Sequence, residues 1–459
     1  METPADLPLV FTATDNQLPP RLTQRISTSD RPSLGVMAMT DLQPRQGKEV
    51  SSYVPLCPDL LPYHVPPDAQ LPVGGRLKHF LAEWQKITSD QWVLKVIEHG
   101  FILTFKGKAP PLSEEPRPVK LPKNWEKRQA LLQAVEDLKT KAAVKISPYP
   151  EKALFSHLFV VSKKSGGWRP IIDLSVLNKF LRVPHFKMET VQSIRSQLQI
   201  GEFVVTLDLK DAYFHVPIQE RFQKYLKFCV LGIVYQFVAL CFGLASAPRA
   251  FTMVMRAVVK FVRVLGMLLH AYLDDWLLRN RCPLVLMDQL RQLLVLLERL
   301  GILVNFPKAD LNPRQIFVFL GVKFNLVKGL VFPTQEAMQK LKVWLEFFRT
   351  MKEVPARALL SFLGLLNHMG DLVPLGRLNT RPLQWYLKCF YRPHVDNLYK
   401  IVPLRPAFFQ CLQFWDCEEN LTKGSPLHLP QEICQCSRMP VNKVGELSAT
   451  ESLQQIDGV

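Results

Sequence analysis

The string HAYLDDWLL, residues 270–278, sets two adjacent carboxylates, Asp274 and Asp275, between aromatic and aliphatic residues on both sides. Acidic side chains are disfavoured in strands and in burial, so an apolar run carrying such a pair is expected to place it at the tip of a hairpin. Side by side the two charges repel. Either a divalent cation with carboxylate ligands neutralises them, or the pair is an ordinary solvated turn. A second string shifts the balance. In EFVVTLDLKDAYFHVPI, residues 202–218, a β-branched run ends at Asp208, which puts that carboxylate at the carboxyl end of a buried strand, where sites in α/β sheets gather. Asp211, Ala212 and Tyr213 follow at once. The 66 positions from Asp208 to Asp274 (274 − 208) leave enough chain for two strands and a helix that return the hairpin beside this strand. Two metal ions roughly 3.5–4 Å apart, bridging an attacking and a leaving oxygen, need carboxylates from neighbouring elements in this way.

The rest of the chain supports a folded protein around this feature. It has 459 residues, 48% of them apolar, enough for two or three compact domains. Lys and Arg outnumber Asp and Glu by 57 to 40, a formal charge of +17 that favours a polyanionic partner, either nucleic acid or an anionic membrane. The longest apolar runs are broken by Lys260, Arg263, Asp288 and Arg291, which argues against a membrane span. The opening METPADLPLV has no basic region leading into an apolar core, so secretion is not indicated and an intracellular protein is expected. Nine scattered cysteines without a CxxC pair are read as reduced thiols; Cys434, Cys436 and His428 make at best half of a metal site.

Along the chain, residues 1–72 are rich in Pro, Ser, Thr and Gln and read as a disordered leader. From 73 to 140 a helical N-terminal extension is expected, with Leu77, Phe80, Leu81 and Trp84, then Trp92, Val93, Val96 and Ile97, at helical spacing, and a further helix over Trp125–Ala143. Between 155 and 240 the runs FSHLFVVSK, RPIIDL, EFVVTLDL and VYQFVAL alternate with helical stretches, which predicts a mixed α/β domain. Helices are expected over Ala247–Leu269 and Leu284–Leu300, a mostly helical region from Thr334 to about Leu421, and an irregular tail after it.

The order LDLKDAYFHVPI, FGLASAP, YLDD, LGILVNFPK and FLGVKF resembles the successive motifs of reverse transcriptases across residues 155–325. GGRLKHFLAEWQKITSDQWVLKVIEHG and KKSGGWRPIIDLSVLNKFL resemble, more narrowly, the polymerase proteins of DIRS-type retrotransposons. The resemblance implies an α+β right-hand polymerase: fingers and a ferredoxin-like palm over 141–325, a helical thumb or connection over 326–421, and an irregular tail over 422–459. It implies RNA-directed DNA synthesis with two Mg2+ ions, Mn2+ being able to substitute, on an RNA template with a DNA or RNA primer and dNTPs. A recombinase of the same element is a partner by resemblance only.

Residue by residue, the resemblance implies that Asp208, Asp274 and Asp275 are catalytic and, with the carbonyl of Leu209, hold the metal. Lys163, Lys164, Arg169, Asp211, Ala212, Tyr213 and Phe242 would bind the nucleotide, with Tyr213 as a steric gate against a ribose 2′-hydroxyl. Gly243, Pro248, Tyr272 and Lys308 would face template and primer, and Lys308 is placed to donate a proton to the leaving pyrophosphate. Each has a plainer reading: Tyr213 as a core aromatic, the basic hairpin as a solvated loop, Lys308 as a surface lysine. Cys241 stands where proline is usual before Phe-Gly, which puts the rigidity of that loop in question. After Leu421 only 38 residues follow (459 − 421), so a ribonuclease H domain is expected to be missing from this sequence. Two rival classes remain: an RNA-making palm polymerase, against which Tyr213 argues, and an inactive nucleic-acid-binding relic of a mobile element.

Overall fold

The computed structural model describes residues 71–147, 151–162 and 167–428. The chain divides into two units, 1–51 and 52–459, and all described residues belong to the second. The expected leader, apart from its last two positions, and Lys163, Lys164, Cys434 and Cys436 lie outside the described residues.

A 3-10 turn at Arg76–Phe80 runs into helix α1 (Leu81–Ile87), and α2 (Gln91–His99) follows. The Asp90 side chain starts α2 by accepting the N–H groups of Trp92 and Val93, two donors that would otherwise have no partner in the first turn. The helical spacing puts Leu77, Trp84, Val93, Val96 and Ile97 in the interior. These residues join one apolar cluster that continues to Ile302, so the N-terminal extension shares the core of the residues that follow it. Two long-range hydrogen bonds fix it there: Trp84 Nε1 donates to the Leu300 carbonyl at 3.0 Å and Arg76 Nε to the Gly301 carbonyl at 3.1 Å.

Helix α3 (Trp125–Thr140) ends three residues before the expected Ala143. Ala142 takes a φ of 48° and the chain turns into strand β1 (Val144–Ile146), which pairs with β6 further on. Strands β2 (His157–Ser162) and β3 (Trp168–Asp173) form an antiparallel hairpin, and the short helices α4 (Ser175–Phe180) and α5 (Val191–Arg195) lead to strand β4 (Phe203–Asp208). After helix α6 (Glu220–Gln223), strands β5 (Lys227–Val230) and β6 (Ile233–Phe237) complete a three-stranded sheet with β1.

Helix α7 (Ala247–Val264) stops short of the expected Leu269, because the turn at Gly266, with φ 81°, breaks it and Leu268–Tyr272 forms strand β7. The residues VLGMLL are apolar throughout, and a continuous apolar run does not itself distinguish helix from strand. Strand β8 (Asp275–Asn280), helix α8 (Pro283–Arg299) and strand β9 (Asp310–Arg314) follow. The sheet order β7-β8-β4-β9, with α7 and α8 as crossovers, is the ferredoxin-like β-α-β-β-α-β arrangement.

Strands β10 (Ile316–Phe319), β11 (Val322–Asn325) and β12 (Leu330–Pro333) make a meander before helix α9 (Gln335–Thr350). A short ladder of β13 (Glu353–Pro355) with β14 (Ile401–Pro403) ties together the helices α10 (Ala356–Met369), α11 (Gly376–Phe390) and α12 (Pro406–Asp416), which with α9 bury a separate apolar cluster. The region 326–421, expected to be a helical thumb or connection, is thus built mainly of helices around their own core. After α13 (Glu418–Thr422), at the start of the expected irregular tail, β15 (Ser425–Pro426) pairs with β12 and Leu427 is buried, while residues 429–459 of that tail lie outside the described residues. The guanidinium of Arg195 donates to the carbonyls of Leu427, Pro426 and Asp371. One buried cation thus holds two carbonyls of this segment together with that of Asp371 beyond α10, and so docks the short strand. No helix among the described residues is long and apolar enough to cross a membrane.

Candidate active site

The palm sheet brings two of the predicted carboxylates side by side. Antiparallel pairing of β4 with β8 runs in register from Phe203 opposite Asn280 to Asp208 opposite Asp275. The β7–β8 turn consists of Leu273, at φ 53°, and Asp274, and Tyr272 pairs with Asp275 across it. The Leu209 N–H donates to the Asp274 carbonyl at 2.8 Å, which ties the end of β4 to the tip of the hairpin. Trp276 is fully buried just behind and donates Nε1 to the Leu273 carbonyl at 3.0 Å, anchoring the turn to the core.

Electrostatics register the crowding. Asp275 is pushed up to about 6, first by its withdrawal from water and then by the charges of Asp274 and Asp208. Asp274 is also raised, mainly by desolvation with a contribution from Asp208, while Arg169 and Lys308 pull it the other way. Asp208 spends one oxygen on Asn305, whose side-chain amide donates to Oδ1 at 2.7 Å, and its Oδ2 lies 4.0 Å from Lys308 Nζ. Among the described residues no group of three His, Cys, Asp or Glu side chains is gathered tightly enough to form a ready-made metal cage. The donor set nevertheless fits a hard cation, because a carboxylate offers about four lone-pair sites and Oδ2 of Asp208 remains available while Oδ1 holds Asn305.

Beside the carboxylates stands an aromatic wall. The Tyr213 ring lies 5.1 Å from Phe242 and 5.7 Å from Phe251, and its hydroxyl is held far above its ordinary range by burial and by the charge of Asp274. Arg169 stacks its guanidinium 5.2 Å from the centre of the Phe242 ring. Gly243, at φ 104°, passes so close to β3 that a Cβ there would lie 2.2 Å from the Ile172 carbonyl. Ala212 is buried in the 3-10 turn Ala212–His215, and Pro248 is the second residue of α7. Lys308 is largely exposed. Cys241 is buried, and burial raises its thiol well above the ordinary range, so it packs as a small apolar residue.

Several residues that hold this geometry are absent from the sequence-based set. Asn305 is one. His215 is another: it is fully buried, its Nδ1–H donates to the Ala212 carbonyl at 3.2 Å, and its Nε2 accepts the Leu303 N–H at 3.0 Å. The hydrogen-bond network thereby assigns the neutral tautomer, and burial pulls the imidazole down to about 4. His215 so joins the turn carrying Tyr213 to the segment carrying Asn305. Lys141 holds the Asp211 carboxylate at 2.7 Å, which occupies that side chain with a structural partner. Asn178 clamps the loop after Cys241, donating to the Gly243 carbonyl at 2.8 Å and accepting from the Ala245 N–H at 3.0 Å. Asn178 supplies from outside the loop a restraint that a proline at 241 would supply from within. Asn305 and Asn178 both lie inside the motif strings LGILVNFPK and LSVLNKFL, but one sits in a loop and the other in the short helix α4, and a single amide carries no periodic signal.

A ferredoxin-like sheet with carboxylates at the meeting of β4 and the β7–β8 turn, followed by a helical region, has the architecture of the right-hand polymerase fold. Residues 161–324 match the family described as reverse transcriptase (RNA-dependent DNA polymerase). The Transposon Tf2-3 polyprotein of Schizosaccharomyces pombe is 24% identical over 229 residues, which is 50% of this chain and 16% of that protein. The Tf2-7 polyprotein of the same organism matches to the same extent. Among solved structures, a foamy viral protease-reverse transcriptase in complex with double-stranded DNA superposes with a TM-score of 0.56 at 18% identity, covering 76% of this chain and 61% of that one. The foamy viral enzyme in complex with an RNA/DNA hybrid gives 0.54 at 16% identity, covering 76% of this chain and 46% of that one. The chain thus spans about one sixth of the length of the transposon polyproteins it matches.

Proposed function

We propose that this chain is the RNA-directed DNA polymerase of a retrotransposon, extending a DNA or RNA primer on an RNA template with dNTPs. The observation that carries this reading is the register that sets Asp208 opposite Asp275 with Asp274 at the adjoining turn. Reverse transcriptases use divalent metal ions, and here Asp208, Asp274, Asp275 and the Leu209 carbonyl would hold two Mg2+ ions. Bound there, the ions supply Lewis acidity toward the primer 3′-hydroxyl and the leaving pyrophosphate.

The chain's own residues do the rest. Asn305 and the Leu209–Asp274 hydrogen bond fix where the carboxylates sit. Arg169 presents a planar fork to the phosphates of the incoming nucleotide. Tyr213, backed by Phe242 and Phe251, fills the space into which a ribose 2′-hydroxyl would project. Lys308 lies within reach to protonate pyrophosphate. The basic charge binds primer and template mainly through phosphates, and affinity is expected to fall steeply with salt. The DIRS-type assignment and an intracellular location belong to the same reading. Primer extension on poly(rA)–oligo(dT), with and without magnesium, tests it: extension only with magnesium is expected, and its absence from a folded, template-bound protein would favour an inactive nucleic-acid-binding relic.

A further inference from the structure

A cavity of about 420 Å3 lies away from the carboxylates, between α2, the segment 100–104, the turn 181–184 and the start of α7. It is walled on one side by the N-terminal extension and on the other by the palm. Lys95, Arg182 and Arg249 line it, and no residue lining it is acidic. The floor is built firmly: the Phe101 N–H donates to the Pro217 carbonyl at 2.7 Å and the Gln219 N–H to the Phe101 carbonyl at 3.1 Å. Gly100 makes that approach possible, since a Cβ there would lie 2.4 Å from the Gln219 nitrogen.

Two polar groups on the palm side stand without a partner. Ser246, which precedes α7 and is 9% exposed, makes no capping hydrogen bond, and its Oγ is shut from solvent and unpaired. Arg249 Nε, one turn further into α7, is likewise buried and unpaired. Nearly all buried polar atoms in folded proteins have partners, so a hydroxyl and a guanidinium left together in one cavity point to an acceptor-rich guest. Three cationic side chains make that guest an anion, and guanidinium groups match the oxygens of a phosphate ester. Trp92, half-buried in the wall and edge-on to Phe101 with ring centres 6.4 Å apart, adds a flat apolar surface of the kind on which bases stack.

We propose that this cavity binds one nucleotide unit, its phosphate held by Ser246, Arg249, Arg182 and Lys95 and its base against Trp92. The anion chemistry stands on the cavity alone, and only the choice of a nucleotide as the anion rests on the polymerase reading. The unit can be a free mononucleotide or one position of a strand. By placing Lys95 and Trp92 in the wall, the site gives the N-terminal extension a part in ligand binding.

The test is calorimetric titration of the full chain with AMP, adenosine, inorganic phosphate and a 5′-phosphorylated oligo(dA), in EDTA to keep metal-dependent triphosphate binding out of the measurement. AMP is expected to bind at least about tenfold more tightly than adenosine, and Arg249→Gln to weaken AMP by about tenfold, as loss of a charge-assisted hydrogen bond implies. Arg182→Gln, at an exposed position, should weaken it in the same direction and serves if Arg249→Gln does not fold. Oligo(dA) binding weakened by Arg182→Gln in parallel with AMP binding assigns the site to a strand; AMP binding weakened with oligo(dA) binding unchanged assigns it to free nucleotide. Equal affinity for AMP and adenosine, AMP affinity unchanged in both arginine variants, or no binding by AMP and oligonucleotide alike overturns the proposal and leaves the cavity to water. Primer extension is measured in parallel: extension without AMP binding removes this site alone, and AMP binding without extension removes the polymerase reading alone.

Discussion

Asn305 donates its side-chain amide to Asp208 across 2.7 Å, and the Asn305 backbone N–H donates to the Asp208 carbonyl at the same distance. One residue thus fixes both the strand end and the carboxylate. Asn305→Ala should retain the fold at a cost of about 1–2 kcal/mol while lowering the single-turnover rate of nucleotide addition by roughly tenfold or more, as misplacement of a catalytic group does. Raised magnesium should recover part of that loss. Wild-type rates at all magnesium concentrations would remove Asn305 from the site.

Asp275 is raised to about 6 by burial and by its two acidic neighbours, so its charge destabilises the fold above that pH. Asp275→Asn is expected to abolish nucleotide incorporation and, in EDTA, to leave the melting temperature unchanged or raise it by a few degrees. Asp208→Asn and Asp274→Asn should likewise lose incorporation. All three should still bind primer–template. Near-wild-type extension by any two of them contradicts the metal assignment.

Tyr213→Ala opens the space between Phe242 and Phe251 and is expected to raise ribonucleotide use relative to deoxynucleotide use at least about tenfold. Parallel extension assays with each nucleotide type read the ratio. A ratio that does not move would return the ring to a packing role.

His215 is held near 4 in the fold, whereas an unfolded histidine titrates near 6.5. The fold therefore favours the neutral imidazole, a contribution fully present above about pH 6.5 and lost as pH falls toward 4, amounting to roughly 3–4 kcal/mol at the limit. Urea unfolding from pH 7.5 down to 4.5 should show falling stability, and His215→Gln, less stable at neutral pH, should show a shallower fall. Identical pH slopes in the two proteins would contradict this role.

Much of the palm is legible in sequence because its strands are short apolar runs that stop at charged residues. EFVVTLDL must end near Asp208, and the apolar flanks of Asp274 and Asp275 must fold back around them. Contacts between distant loops leave no such trace: Asp208 and Asn305 are 97 residues apart and His215 and Leu303 are 88 apart. The boundary between α7 and β7 is hidden because both sides are equally apolar. β15 is hidden for the opposite reason, since a two-residue strand in polar surroundings has no period to detect.

Arg195 meets the Leu427 carbonyl across 232 positions of sequence and the Asp371 carbonyl across 176. During synthesis the guanidinium emerges long before either acceptor exists, and at about 5–20 residues per second Leu427 follows it only after some 10–50 seconds. Throughout that interval α5 carries a cation whose final partners have not been made, and water must serve in their place. The thumb must be complete and its last strand laid against β12 before this arginine is shut away from solvent. The burial of Arg195 is therefore a contact that cannot close until the chain has been made through residue 427.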